Sequence, residues 1–394
     1  MNQVPPDAYP SSFWGVLTAV FIVQTGFGAI LPLLPEFVHS RGFPIADMGI
    51  MAAAYAAISF LGQISLGSMS DRLGRKQLML AGSLLEAAGT AGFLVHGSVA
   101  WYISCRIFQG LGSAALVPAA NALVADLVPS VSRGRAYGLM SAAGSAGFAL
   151  GPMLGGLAGA AWGLAAPFVI GALLNLLAAI ATLITLPASI RRQNAAQADR
   201  LEFSPIGRKL WPYFMVMFVW IGMNGMYDTT WSLYMRWLGA EPWLIGISFS
   251  LFGLPLLLFN IYGGRLADHR AWRHWTILSG TGLQAITVAL YIVSRSAWLS
   301  IAISVIEAGA LSLTGPALSA SVMDKSPESA HGRVQGWFQA SGTLGATLMA
   351  LASGPLLVVR PNHPFILGTA VLIAATALAA MIWRPWQTAA ATSP

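Results

Sequence analysis

The sequence predicts an all-α membrane protein in which twelve transmembrane helices form two bundles of six. The chain of 394 residues is 56% hydrophobic and 9% charged, whereas an ordinary soluble domain has about 25% charged residues. Twelve apolar runs follow one another along the chain, each about the 20 residues that a helix needs to cross the hydrocarbon core of a bilayer. The second half of the sequence also repeats features of the first.

The predicted spans are separated by short polar segments, except at the middle of the chain. There a polar connector, residues 188–210, holds five basic residues. We therefore expect an N-terminal bundle at 1–187, a cytoplasmic connector at 188–210 and a C-terminal bundle at 211–394. The spans are predicted at residues 13–34, 47–69, 77–97, 100–125, 136–160, 164–187, 211–235, 243–263, 274–294, 297–322, 334–358 and 364–383.

The distribution of Lys and Arg predicts the orientation of the chain. An even number of spans places both termini on one side of the membrane. The tails, the connector and the loops on that side hold sixteen basic residues, and the loops on the other side hold four. Since cytoplasmic loops carry the basic excess, both termini are expected in the cytoplasm, with the protein in the cell membrane. The net charge of +7 is scattered singly through loops, so we do not expect a nucleic-acid partner.

An internal repeat relates the two halves. Eight pairs of identical residues lie 197 or 198 positions apart and in the same order relative to the spans. Because each half has an even number of spans, both halves insert the same way up, and a pseudo-twofold axis along the membrane normal is expected with the pathway between them. The pairs are Trp14 and Trp211, Gly67 and Gly264, Asp71 and Asp268, Trp101 and Trp298, Asp126 and Asp324, Gly134 and Gly332, Arg135 and Arg333, and Gly138 and Gly336.

The densest charged segment is residues 67–77, GSMSDRLGRKQ, which we expect to form a cytoplasmic loop between two spans. Gly67 and Gly74 permit a close helix approach and a tight turn. Asp71 is suited to accept backbone N–H groups at the start of a neighbouring helix. Topology alone explains the basic residues of this segment but not its acidic one.

This segment resembles the motif Gly-x-x-x-Asp-Arg-x-Gly-Arg-Lys between helices 2 and 3 of the major facilitator superfamily, and the resemblance covers essentially the whole chain. Residues 106–115, RIFQGLGSAA, look like the helix 4 motif of proton-coupled members. Residues 147–156, GFALGPMLGG, are similar to the helix 5 motif typical of exporters. The combination resembles the twelve-helix drug/proton antiporter branch, which implies the fold of that superfamily around a central cavity.

The resemblance implies a conformational latch at the cytoplasmic face. Asp71 would hold helix 11, and Arg75 would pair with Asp126 to stabilise the outward-open state. The copy at residues 264–270 is eroded, so we expect the two cytoplasmic faces to be mechanically unequal. The residues assigned to the latch are Gly67, Asp71, Arg72, Gly74, Arg75 and Asp126.

The helix 5 motif implies an element that bends and seals one side of the transporter. Its proline can kink the span and its glycines allow close approach of neighbouring helices. Ordinary packing of small residues explains the glycines almost as well. The residues assigned to this motif are Gly147, Gly151, Pro152 and Gly155.

Four ionisable residues lie inside predicted spans, where they are costly and therefore functional candidates. In the superfamily arrangement helices 1, 4, 7 and 10 line the cavity, so Asp228 and Glu307 are expected to face it at similar depth, to hold a proton near neutral pH, and to carry proton coupling. Alternatively, each caps a local hydrogen-bond network. Arg106 is expected to partner the substrate or proton site, unless it extends to the interface. Glu86 is interpreted as a protonated residue packed between helices or as a second proton site.

The seventh span is rich in aromatic and polar residues at helical spacing. An aromatic face beside a carboxylate suits an amphipathic organic cation, although an interfacial aromatic belt would explain Trp231 and Tyr234 equally well. Polar residues elsewhere in the lining helices are weaker candidates that also serve as contacts between helices. The candidate substrate-binding residues are Gln24, Gln109, Trp220, Asn224, Tyr227, Trp231 and Phe338.

The leading hypothesis is a proton-coupled exporter, an antiporter that moves amphipathic, cationic organic compounds or drugs by alternating access. A flippase for a lipid-linked or lysolipid substrate is the alternative, and an uptake symporter for a sugar or organic acid ranks third. The sequence contains no nucleophile constellation, metal-ligand cluster or phosphate loop, so neither an enzyme nor a cofactor or metal is expected. The expected partners are the small-molecule substrate, protons and the lipid bilayer, with the protein a monomer.

Overall fold

Helices account for almost all of the described chain, which comprises residues 9–44, 46–128, 133–186, 203–268, 270–325 and 331–390 of a computed structural model. Within these ranges the backbone forms thirteen helices and no strand. They are α1 (Ser11–Ile30), α2 (Leu34–Ser40), α3 (Asp47–Leu73), α4 (Arg75–Gly92), α5 (Val99–Leu127), α6 (Arg133–Trp162), α7 (Ala166–Thr185), α8 (Phe203–Trp237), α9 (Pro242–Asp268), α10 (Arg270–Val293), α11 (Ala297–Asp324), α12 (His331–Val359) and α13 (His363–Ala390).

Twelve of these helices follow the twelve predicted spans in order, and the all-α prediction is confirmed. The additional helix, α2, arises because the first span is interrupted after Ile30, where Pro32 and Pro35 flank its start and proline cannot donate a backbone hydrogen bond. Seven of the described helices are both long and apolar enough to cross a membrane. The other helices of spanning length are α3, α4, α6, α8 and α9.

The expectation of a loop over residues 67–77 is wrong. Helix α3 continues to Leu73 and α4 begins at Arg75, so Gly74 is the whole junction. Its φ of +92° lies in the region that glycine adopts without the penalty of a Cβ atom, and a sharp reversal at this residue lets both helices extend to it. The side chains of residues 64–73, and with them the latch candidates Gly67, Asp71 and Arg72, lie outside the described part of the structure.

The chain divides into two compact units. Unit 1 comprises Met1–Ala198 together with Glu241–Gly253, and unit 2 comprises Asp199–Ala240 together with Leu254–Pro394. The division therefore falls inside α9. Helix α8 begins at Phe203, eight residues before the predicted seventh span, so the second part of the expected polar connector is helical.

Glycines bring α6 onto α1 in unit 1. A Cβ atom at Gly147 would meet the Phe21 carbonyl, and one at Gly155 would overlap the backbone of Ala29. The equivalent helices of unit 2, α12 and α8, approach in the same way, since a Cβ atom at Gly345 would overlap the Phe218 carbonyl. Gly147 and Gly345 are 198 positions apart, and Phe21 and Phe218 are 197 positions apart. The repeated sequence thus makes the same helix contact twice.

Substitution of Gly155 by Ala tests this close approach. We expect Gly155→Ala to lower stability by about 1–3 kcal/mol, the usual cost of overpacking, because its Cβ atom has to displace the backbone of α1. The measurement is the apparent melting temperature of purified protein in detergent.

Gly144→Ala on the same helix is the matched control. Its Cβ atom would lie 3.8 Å from Val20 and 3.9 Å from Gln24, which is ordinary van der Waals contact, and alanine favours a helix interior by up to about 1 kcal/mol over glycine. Equal melting temperatures for the two variants would contradict the close contact.

Candidate functional site

A completely buried carboxylate, Glu307 of α11, is the centre of a polar site in unit 2. Tyr227 of α8 donates a hydrogen bond to its Oε1 atom, and Gln284 Nε2 of α10 lies 3.4 Å from the same atom. Tyr291 of α10 donates to Oε2 at 2.8 Å. An ionised carboxylate only accepts hydrogen bonds, so these three donors match the charged form of Glu307.

The two tyrosines that donate to Glu307 belong to a group of rings in contact with one another, which we call the aromatic cluster: Tyr227, Trp231, Tyr234, Tyr291 and Phe365. The ring centroids of Tyr291 lie 5.2 Å from Trp231 and 5.1 Å from Phe365, and those of Tyr234 and Phe365 are 4.8 Å apart. The Tyr234 hydroxyl donates to the Tyr291 carbonyl at 2.8 Å. Trp231 and Tyr234 are buried within unit 2, a position that does not fit an interfacial belt.

The remaining candidates on α8 are more accessible. Asp228 is half-buried and follows Tyr227, so its side chain leaves the helix about 100° further round. Asn224 is exposed, and the half-buried Trp220 packs its ring against Gly315 of α11. Helix α8 therefore carries one group that binds Glu307 and three that remain partly or wholly accessible.

Unit 1 contains a second polar site, which we call the α4–α5 cluster: Glu86 and Thr90 of α4 with Arg106 and Gln109 of α5. Arg106 donates to Gln109 Oε1 at 2.9 Å, and Gln109 Nε2 donates to the Thr90 hydroxyl at 2.9 Å. All four residues are buried, with Arg106 only 1% exposed. The alternative that Arg106 extends to the membrane interface is therefore wrong for this structure.

Two aromatic rings hold the Arg106 guanidinium from the other side. Its Cζ atom lies 4.5 Å from the ring centroid of Tyr55 on α3 and 6.0 Å from that of Phe27 on α1. Both distances are in the range of cation–π attraction. A cation that is costly inside a membrane protein is thus stabilised by an amide oxygen and two ring faces.

Near the junction of α3 and α4, Arg75 forms an ion pair with Asp126 of α5 and donates to the Ala122 carbonyl. Unit 2 has the same arrangement 198 positions later: Arg273 lies 2.6 Å from Asp324 and 3.5 Å from the Ala320 carbonyl. The ion pair is therefore present in unit 2 although the copy of the charged segment at 264–270 is eroded.

The two ion pairs differ in burial rather than in composition. The side chains of Arg75 and Asp126 are 7% and 9% exposed, whereas those of Arg273 and Asp324 are 12% and 34% exposed. Solvent screens the second pair more strongly.

Three weaker candidates occupy other positions. Phe338 is completely buried and packs against Phe214 in the hydrophobic core of unit 2, with ring centroids 5.9 Å apart. Gln24 is half-buried beside the α6 glycines, and Gln109 belongs to the α4–α5 cluster. Among the described residues, no group of three or more His, Cys, Asp or Glu side chains could hold a metal ion.

Sequence reasoning did not single out Gln284, Tyr291, Tyr55 and Arg273. The repeat contained a signal for two of them, because Gln284 is 198 positions from Glu86 and Arg273 is 198 positions from Arg75. Tyr291 and Tyr55 had no such signal, since a single tyrosine in an apolar span is ordinary in sequence and acquires a role only through its tertiary partner.

Comparison with known proteins gives a family match over nearly the whole chain. The model of the Major Facilitator Superfamily matches residues 16–241 and 213–393. The chain is 28% identical over 361 residues to the class C tetracycline resistance protein of Escherichia coli, covering 87% of each chain. It is 25% identical over 386 residues to multidrug resistance protein 2 of Bacillus subtilis, covering 94% of each.

A solved structure shows the same fold. The crystal structure of the nucleoside transporter NupG superposes with a TM-score of 0.79 over 94% of this chain and 99% of that one, at 13% sequence identity. At this identity the likeness concerns the fold alone.

Removal of one donor tests the Glu307 site. We expect Tyr291→Phe to destabilise the protein by about 1–3 kcal/mol, because a buried charged acceptor loses a hydrogen bond. The loss should shrink when Glu307→Gln is already present. The measurement is the apparent melting temperature of the single and double variants.

Tyr102→Phe is the matched control, since that hydroxyl donates to the neutral Val95 carbonyl at 3.4 Å and its loss should cost less. If Tyr291→Phe and Tyr102→Phe have the same effect, Tyr291 is not a specific donor to the carboxylate.

Proposed function

Because the chain belongs to the Major Facilitator Superfamily and is a multi-pass membrane transporter rather than an enzyme, we propose that it exports amphipathic, cationic organic compounds in exchange for protons. Its relatives include proteins named for tetracycline and multidrug resistance, which supports export of drug-like molecules. The helix 5 motif supports the same direction of transport.

The observation that carries the proposal is Glu307, a buried carboxylate held by donors from two other helices. Carboxylates inside spans mark proton pathways in transporters. When Glu307 takes up a proton, its carboxyl group no longer needs three donors. We assign the proton to Glu307, with Tyr227 as the group whose hydrogen bond changes, so that protonation alters the position of α8.

Substrate contact is assigned to the accessible residues of α8 rather than to the buried aromatic cluster. Trp220 and Asn224 retain exposed surface, and Asp228 supplies a negative charge to attract an organic cation. This assignment separates the proton site from the substrate site while keeping both on one helix. Proton release and substrate binding are then coupled through α8.

The basic excess of sixteen residues against four supports cytoplasmic termini in the cell membrane. The two homologous bundles of six spans supply a complete alternating-access machine in one chain, so we propose that the functional unit is a monomer.

A flippase for lysolipids or lipid-linked molecules is the second candidate. Its supporting observation is the composition of the same face, because Trp220 and Asn224 beside Asp228 also suit an amphiphile with a polar head. Transport of an organic cation and transfer of a lysolipid distinguish the two functions.

Purified protein in proteoliposomes tests the coupling. With a proton gradient across the membrane and tetraphenylphosphonium as the probe, we expect substrate-dependent proton movement. Glu307→Gln should reduce its rate at least tenfold, because the carboxyl group whose protonation is proposed to change the position of α8 is lost. Asp228→Asn should raise the apparent KM for the cation. Both variants should elute as folded protein.

Transfer of a fluorescent lysolipid by the wild type, without proton movement on addition of any cation, would favour the flippase. Full transport by both variants would overturn the assignment of the two carboxylates.

Asp126→Asn and Asp324→Asn test the paired latches. We expect each variant to slow the transport of different substrates by the same factor. The factor should be larger for Asp126→Asn, because breaking a buried ion pair costs about 3–5 kcal/mol and breaking an exposed pair about 0.2–1 kcal/mol. The measurement is the transport rate of two chemically different cations, with the exposed Glu241→Gln as control. A change in the ratio of the two rates would assign these residues to substrate selection instead.

A further inference from the structure

The two units place an acid and an amide at equivalent positions, but in exchanged order. Glu86 on α4 corresponds to Gln284 on α10, and Gln109 on α5 corresponds to Glu307 on α11, in both cases at a separation of 198 residues. At this pair of positions each unit therefore buries one carboxyl and one carboxamide. The exchange keeps the composition of the site and moves the carboxyl group to the other helix.

The surrounding contacts confirm that these positions are equivalent in three dimensions. A Cβ atom at Gly82 would meet the Gly112 carbonyl, and one at Gly280 would meet the Ala310 carbonyl, again 198 positions apart. The helix pairs α4 and α5, and α10 and α11, thus approach each other through the same positions. The exchanged acid and amide lie on these matched helix pairs.

The aromatic neighbours repeat as well. Phe93 corresponds to Tyr291 at 198 positions and Phe168 to Phe365 at 197. Within unit 1 the ring centroids of Phe93 and Phe168 lie 5.3 Å apart, and within unit 2 those of Tyr291 and Phe365 lie 5.1 Å apart. The tyrosine that donates to Glu307 in unit 2 is therefore a phenylalanine in unit 1. Unit 1 has no hydroxyl donor at that position.

Glu86 is consequently in a different environment from Glu307. It is 2% exposed, and its Oε2 atom is buried without a hydrogen-bond partner among the described residues. An ionised carboxylate that lacks donors is expensive to bury, and a proton removes that cost. Its stem packs against Gly112 of α5, which keeps the carboxyl group inside the helix pair.

The charged neighbour of Glu86 favours the opposite state. Arg106 of α5 donates to Gln109, and Gln109 donates to Thr90, one turn beyond Glu86 on α4. Helix α3 contributes Tyr55, which lies on the guanidinium. Cys105 of α5 packs at Gly92, more than one turn beyond Glu86 on α4. Helix α7 has no ionisable residue. Burial and the guanidinium thus oppose each other at one carboxyl group.

We propose that Glu86 is a second proton-exchanging carboxyl group of the transport cycle, the unit 1 counterpart of Glu307. Its O–H bond breaks, the proton passes to water on one side of the membrane, and the carboxylate left behind is compensated by Arg106. A proton from the other side restores the neutral acid, while Gln109, Tyr55 and Phe27 continue to hold the guanidinium. The role of Glu86 in transport rests on the proposed exchange of cations for protons. The binding of a proton by Glu86 does not depend on that proposed function.

Infrared difference spectroscopy of the purified protein between acidic and neutral pH tests the site without any substrate. We expect the wild type to show the carbonyl band of buried, protonated carboxyl groups, and Glu86→Gln to lose part of its amplitude. Glu86→Asp, which keeps a carboxyl group at this position, should retain most of that amplitude. This variant also keeps the proposal testable if Glu86→Gln does not fold.

Proton counting in proteoliposomes tests the role in transport, with tetraphenylphosphonium as the probe. The number of protons moved per cation should fall by about half in Glu86→Gln, since one of two exchanging carboxyl groups is lost, and remain unchanged in Glu241→Gln. An unchanged band and an unchanged ratio in Glu86→Gln would overturn the inference. Absence of cation-dependent proton movement in the wild type, with the band intact, would instead remove the proposed antiport and leave Glu86 as a proton-binding site.

Discussion

A charged group inside an apolar helix bundle must be stabilised by the protein itself, because lipid supplies no hydrogen bonds. Glu307 meets this requirement with three donors from α8 and α10. Arg106 meets it with one amide and two aromatic faces. Such contacts require helices that approach closely, and the glycines between α4 and α5 permit this. Close packing at the small residues therefore makes the polar contacts of the charged residues possible.

The internal repeat shows which of these contacts are general. The Arg–Asp ion pair and the glycine contacts to a facing backbone occur in both units at the same separation. The buried acid occurs in both units but changes helix, and one aromatic donor becomes a phenylalanine. The Arg–Asp pair and the glycine contacts are thus repeated, whereas the buried carboxyl groups and their neighbours differ between the two units. Two unequal carboxyl sites can gain and lose protons at different steps of one cycle.

Much of the fold was predictable, because twelve long apolar runs leave few alternatives to membrane-spanning helices. The ion pair of Arg75 and Asp126 followed from motif resemblance, and Gln284 was accessible from the repeat. The junction at Gly74 could not be predicted. The charged residues of the segment indicated a loop, whereas the helix ends are set by the φ angle of one glycine. The α8 rings of the aromatic cluster were expected from their helical spacing. The contributions of Tyr291 and Phe365 were not, since they come from two other helices and only tertiary packing brings them to the α8 rings.

The energetics of the Glu307 site are compatible with a coupling role. Loss of one hydrogen bond to a charged acceptor changes free energy by about 1–3 kcal/mol, which is the usual size of the coupling between two binding sites. Tyr227 alone, among the donors to Glu307, lies on the helix that also carries Asp228 and Asn224. A change at its hydroxyl therefore reaches the accessible face of α8 through one rigid helix. Gln284 and Tyr291 lie on α10, so under the proposed coupling they keep the carboxyl group in place while the hydrogen bond from Tyr227 changes.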